Sequence, residues 1–441
     1  MEPFTPLKLY LPLEKFEKCG KCGSKESLKL CAACNEQTYC SAVCQKDDWK
    51  NHKATCGKTD KIQLDSFHAF IAALCDAAHA HNAKPPHPAV RRQIVNAPNP
   101  GSRPVGFPDG TGANLVILGE ELAGDHLIGS RTWFQQALTD KVRSKMLRRI
   151  TREGMVLPIV MAVSLAMLTE FYTTTAGPGK RRTRLAYKSS PISDFGIVAG
   201  EADVKPQDRL AYWDISDPQD MTLYPGQDPN DHYWLYFKTI RGETVLIDCA
   251  MFTFNMCTIV NVEPYLVYPM PPLQWSPIYF RGRELDQATP PLYKKERVRM
   301  SVLRSPELRR LVETDNPRGY HDPEVDIVRG FMKKLAGREV LTDSDEIEFL
   351  FPVLIHQRIA LANLIRQRKW ESWPKNGPEF AIEADPQEVI RANGELEDEE
   401  AWAKYLRKFK KIKKAGGDRE ELNDAFRKWQ AKQDKQRRSK I

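Results

Sequence analysis

Eight side chains near the N-terminus have the types and spacing to hold metal: Cys19, Cys22, Cys31, Cys34, Cys40, Cys44, His52 and Cys56. They spell CxxC, CxxC, CxxxC and HxxxC in turn. Thiolates and a neutral imidazole, taken four at a time, suit tetrahedral zinc. Each CxxC makes a knuckle, a tight turn that aims both sulfurs at one ion, and Gly20 and Gly23 ease the first. Cys40 and Cys44 stand four apart, as do His52 and Cys56, which places each pair on one face of a helical turn. Ser41 is a suitable cap for the helix that would follow it. Eight ligands fill two tetrahedra and leave no position for water, so the two zinc ions expected here are structural and carry out no hydrolysis. Spacing alone leaves open whether the sites fill sequentially or interleave.

Cysteine usage supports metal over disulfides. Seven of the ten cysteines crowd between Cys19 and Cys56, and only Cys75, Cys249 and Cys257 lie elsewhere, whereas a secreted disulfide protein spreads them. The start, MEPFTPLKLYLPLEKFEK, lacks the basic head and apolar run of a signal peptide. The longest apolar run, Met155 to Leu168, is 14 residues, short of a bilayer of about 30 Å. The expectation is an intracellular protein, nuclear or cytoplasmic, with no membrane partner.

The run YCSAVCQKDDWKNHKATC, preceded by CGKC and CAAC, resembles a MYND-type zinc finger, and the match takes in every ligand together with Gln45 and Trp49. The resemblance implies a small cross-brace in which Cys19, Cys22, Cys40 and Cys44 hold one zinc and Cys31, Cys34, His52 and Cys56 the other. It also implies docking of a proline-containing peptide of a partner protein on Gln45 and Trp49, in transcriptional or chromatin regulation. Ala32 stands where some peptide-binding members carry a hydroxyl. The alternative for Trp49 is simple packing against the second knuckle or the rest of the chain. Pro269-Met270-Pro271-Pro272-Leu273 has the composition of such a peptide and is a candidate to occupy the finger in cis.

The elements that must carry these residues are legible only coarsely. The expected fold class is α+β: residues 1–18 form an extension, 19–56 the finger, 57–112 a helix and a Pro/Gly-rich linker, 113–380 a mixed α/β domain, and 381–441 a charged helical tail. Residues from Lys61 to Asn82 have helical spacing, and the seven prolines and four glycines from Pro85 to Gly112 predict a long loop. Arg131 to Thr175 reads as two helices broken at Gly154 and Pro158, the second apolar all round. Tyr233 to Ile240 and Thr244 to Phe254, joined by Arg241-Gly242-Glu243, read as a β-hairpin, and Glu296 to Leu364 reads as helical.

The charge of +8 belongs to the end of the chain, because Ala401 to Ile441 alone carries 15 Lys/Arg against 5 Asp/Glu. The tail admits a solvated helix, a nuclear import signal around Arg407 to Lys414, or direct nucleic-acid contact, and there Trp402, Tyr405, Phe409 and Ile412 recur at helical spacing, which suits packing better than stacking on bases. The finger's own helix mixes Asp47 and Asp48 with Lys46, Lys50 and Lys53, so nucleic acid is not expected there.

An enzymatic alternative would place an active site in 113–380. MYND fingers also occur in SET-domain methyltransferases, but the Asn-His pair here, Asn51-His52, is spent on the finger. His232 and Asp248 flank the predicted hairpin in a manner similar to papain-like and transglutaminase-like proteins, which reads as an active site, a degenerate relic of one, or ordinary hairpin residues. No cysteine lies between Cys75 and Cys249 to serve as nucleophile. No catalytic residue is assigned.

Overall fold

A computed structural model describes residues 8–54, 56, 59–98, 104–108, 110–173, 181–216, 221–282, 293–313, 322–337 and 345–383, and scattered positions from 407 to 428. The finger holds β1 (Lys29–Leu30), β2 (Thr38–Tyr39) and α1 (Ala42–His52). Then follow β3 (Thr59–Gln63), α2 (Leu64–His79), β4 (Arg92–Ile94), β5 (Val105–Gly106), β6 (Gly112–Glu121), α3 (Asp140–Thr151) and α4 (Val156–Tyr172). The next stretch is β-rich: β7 (Arg182–Tyr187), β8 (Ser190–Ala202), β9 (Leu210–Asp214), β10 (Thr222–Tyr224), β11 (His232–Thr239), β12 (Thr244–Asp248), β13 (Thr258–Asn261), β14 (Trp275–Pro277), β15 (Tyr279–Arg281) and β16 (Tyr293–Ser301). Helices α5 (Pro306–Glu313), α6 (Asp322–Ala336) and α7 (Asp345–Gln367) and strand β17 (Phe380–Ile382) complete the body. The α+β class is as expected.

The central sheet runs β15-β12-β11-β8-β7-β3, with β16 beside β8. One face carries Phe195, Ile197, Tyr233, Leu235 and Phe237 into the main core, where α2, α4 and α7 lie. Helix α4 is buried on every side, which is why its sequence shows no polar stripe. Gly154, at φ +74°, and Met155, also left-handed, turn the chain between α3 and α4. Pro158 sits inside α4, in its first turn, where its missing N–H has no intrahelical acceptor to lose. A smaller core packs α3 against a second sheet, β10-β9-β6-β4, through Val116, Leu118, Met146, Leu210 and Tyr212.

Several sequence expectations are corrected. Ile62 belongs to β3, not to the helix after it, and β3 and α2 pack into the main core. The proline-rich stretch is not a featureless loop: a short 3₁₀ turn at Pro88–Arg91 and strands β4 and β5 stand in it. The hairpin forms with Gly242 at φ +87°, but its second strand ends at Asp248 and Met251–Phe254 is 3₁₀. Residues 296–301 are strand rather than helix. The candidate cis peptide is committed to the body, where Met270 and Leu273 pack on the main core. In the tail, 407–412 are helical, whereas Trp402 and Tyr405 lie outside the described residues. Among the described residues α7 contains a stretch, Glu346–Gln367, long and apolar enough to cross a bilayer; 56% of its most apolar window is buried, and α7 packs against α4.

One core histidine makes stability depend on pH. His68 on α2 is stacked between Phe280 at 4.3 Å and Phe380 at 5.3 Å, and burial lowers it from 6.5 to about 4. The unfolded chain therefore takes up a proton between these values that the folded chain refuses. Stability present above 6.5 is lost as pH falls toward 4, by roughly 3 kcal/mol. Chemical denaturation across this range should show His68→Leu losing that part of the slope; an unchanged slope would contradict the assignment.

Candidate metal centre

The first knuckle is shaped by backbone bonds that close it: Cys19 N–H donates to Ser24 O at 2.7 Å and Gly23 N–H to Cys19 O at 2.9 Å. The second repeats the pattern, with Asn35 N–H to Cys31 O at 2.8 Å and Cys31 N–H to Gln37 O at 2.8 Å. On either side of the second knuckle β1 and β2 pair antiparallel, Lys29 opposite Tyr39. That hairpin carries the chain back to Cys40. Ser41 caps α1 by accepting from Cys44 N–H at 3.2 Å, as its sequence position predicts. The Tyr39 hydroxyl donates to Asp48 at 2.8 Å and ties strand to helix. Cys56 N–H reaches His52 O at 2.7 Å, so the helical turn continues far enough to face both ligands one way.

The consequence is a crossing of ligand pairs. The start of α1 lies over the first knuckle and its end over the second. Cys19, Cys22, Cys40 and Cys44 form one group and Cys31, Cys34, His52 and Cys56 the other, with all ligand atoms of each within 4.8 Å of one another. Tetrahedral zinc with Zn–S near 2.3 Å and Zn–N near 2.0 Å sets ligand atoms about 3.8 Å apart for S···S and about 3.5 Å for S···N. The observed separations are 3.4 Å for Cys22–Cys40, 3.6 Å for Cys40–Cys44, 3.8 Å for Cys31–Cys56 and 3.5 Å for Cys34 Sγ to His52 Nε2. The residues fit two zinc ions, one held by four cysteines and the other by three cysteines and a histidine.

Local electrostatics suit a cation. The backbone N–H of Cys22 is the main influence that pulls the Cys19 thiol down to about 6. Burial pushes the Cys34 thiol up, so its thiolate requires the ion's charge. Gln45 Nε2 lies 3.5 Å from Cys31 Sγ and donates to it. Outer hydrogen bonds of this kind orient a metal ligand. Trp49 is 45% exposed, its ring edge-on to His52 at 6.1 Å.

The finger is fastened to the body, which the sequence reading did not foresee. Glu36, just after the second knuckle, pairs with Arg182 and, at 3.3 Å, with Arg184, both on β7. Thr59 N–H donates to Ala33 O at 3.3 Å, and the segment before the finger is held where Tyr10 N–H meets Tyr172 O at 2.7 Å. The Arg182 guanidinium lies over the Tyr10 ring at 4.7 Å. The available signal was the basic run Arg181-Arg182-Thr183-Arg184, too charged for an ordinary interior strand.

The alternative site is also placed. His232 Nε2 and Asp248 Oδ2 lie 2.6 Å apart with both side chains 0% exposed. Trp234, Phe254 and Tyr293 surround the imidazole. The neighbouring Cys75 thiol and burial together drive the thiol of Cys249, the residue after Asp248, far up. The histidine and aspartate thus meet, sealed from solvent.

This geometry defines a cross-braced, two-zinc finger. The finger is a MYND finger: that family matches residues 18–56. Protein CBFA2T2 of Xenopus laevis is 41% identical over 50 residues, 11% of this chain and 8% of that protein. Protein CBFA2T2 of Mus musculus is 41% identical over 46 residues, again 8% of its length. The chain thus covers under a tenth of these relatives, and the similarity is confined to the finger. No solved structure matches the chain.

Proposed function

We propose that the protein docks a partner through its finger, with Gln45 and Trp49 receiving a proline-containing peptide and the body, from β3 onward, serving as a rigid mount. The observation that carries this reading is Trp49, a large aromatic left 45% exposed on a module whose second knuckle is pinned to β7. An exposed indole offers a flat apolar face on which a proline ring stacks at little entropic cost. Gln45, drawn toward Cys31, links the metal site to the same helix. A role in transcriptional or chromatin regulation, and a nuclear location, are part of the same proposal.

The test is Trp49→Ala. Removing a central aromatic anchor should weaken binding of a proline-rich peptide by about 30-fold, roughly 2 kcal/mol, while zinc content stays at wild type. Titration calorimetry reads both proteins. Equal affinities would remove Trp49 from the docking face, and His232→Ala should bind as wild type does.

A further inference from the structure

The charges around Trp49 select among proline-containing partners. In an α-helix each residue advances about 100°, which sets Lys46 and Lys53 within about 60° of Trp49, Lys50 about 100° away, and Gln45 about 40° to the other side. Lys46, Lys50 and Lys53 are exposed. None of the three side chains makes an ion pair or hydrogen bond among the described residues. The acidic residues of the same helix do not cancel Lys46 and Lys53, although Asp47 stands about 60° from Lys50. Asp47 falls about 160° from Trp49, on the far side of the helix. Asp48 accepts from the Tyr39 hydroxyl at 2.8 Å. Glu36 of the second knuckle is consumed by Arg182 and Arg184. The indole is therefore bordered by the unpaired ammonium groups of Lys46 and Lys53, on a side of the helix that carries neither Asp47 nor Asp48.

Resting on the docking reading above, we propose that the finger's partner is an acidic peptide: a proline segment for Trp49 with Asp or Glu flanking it, held by Lys46, Lys50 and Lys53. Lysine is suited to this, because a compact ammonium on a long flexible stem meets carboxylates at varied positions without demanding one geometry. Exposed charges set on-rate and selectivity more than they set total affinity. The preference should therefore be large at low salt and fade when the Debye length drops to about 3 Å near 1 M.

The experiment uses the full chain loaded with zinc and three synthetic peptides that share a Pro-Pro-Leu core and differ only in flanking Glu, Gln or Lys. At low salt, calorimetry should rank them Glu, Gln, Lys, with about tenfold between the first two from a few exposed charge pairs. High salt should merge the three affinities. Lys46→Glu/Lys53→Glu should invert the ranking with zinc content unchanged, since both side chains are exposed. If the three peptides bind alike, or the Lys-flanked one binds best, the charge proposal is overturned and the docking reading stands. If none binds, the docking reading itself fails and this proposal falls with it.

Discussion

A Cys34→Ser chain is expected to lose the zinc of the second site and, with it, the fold of residues 19–56. Cys34 is 2% exposed and its sulfur lies 3.5 Å from His52 Nε2, and the neutral serine hydroxyl that replaces it is a far poorer zinc ligand than a thiolate. The finger's own buried cluster consists of Cys19, Cys31, Cys34 and Tyr39, which is almost no hydrocarbon. Folding free energy must then come from metal, about 10–16 kcal/mol for a structural site. The two sites share β1, β2 and α1, so loss of one should weaken the other. Elemental analysis should fall from two zinc ions per chain to one or fewer. Amide NMR signals of the finger should collapse toward random-coil positions while those of α4 and β11 persist. Retention of two ions and a dispersed finger spectrum would contradict this.

Glu36→Ala should be costly for a different reason. It leaves two guanidinium groups, on Arg182 and Arg184, with side chains only 9% and 7% exposed and their shared carboxylate gone. Removing one partner of a buried pair costs about 3–5 kcal/mol, because the remaining charge is stranded out of water. Chemical denaturation of the body should show this loss, with zinc content retained. In an Arg182→Met/Arg184→Met background the same substitution should cost less than about 1 kcal/mol, since no charge remains to strand. Equal costs in both backgrounds would mean that the carboxylate and the two arginines do not act together.

How far the sequence could be read follows from what constrains each part. The eight ligands were legible because coordination chemistry restricts both residue type and spacing. Their pairing was not derivable from spacing, since two arrangements satisfy the valences; it depends on the β1–β2 turn returning Cys40 to the first knuckle. The β11–β12 hairpin and the α3–α4 break were legible from Gly242 and Gly154, local residues with local effects. Strand β3 was not, because Ile62 continues an apolar spacing that suits α2 equally well and only pairing with β7 decides it. Strand β16 misled in the same way: its charged residues border solvent, and its partner β8 lies about a hundred positions earlier in the chain. The Glu36 clamp joins residues 146 positions apart, which no local pattern encodes.

The central claim is two metal ions held by interleaved ligands, and cadmium-113 substitution followed by through-bond correlation to the cysteine Hβ protons tests it most directly. Two cadmium resonances are expected, one coupled to Cys19, Cys22, Cys40 and Cys44 and the other to Cys31, Cys34 and Cys56 together with the His52 ring, matching the two clusters of the fold. A single resonance, or one ion coupled to Cys19, Cys22, Cys31 and Cys34 together, would contradict the account.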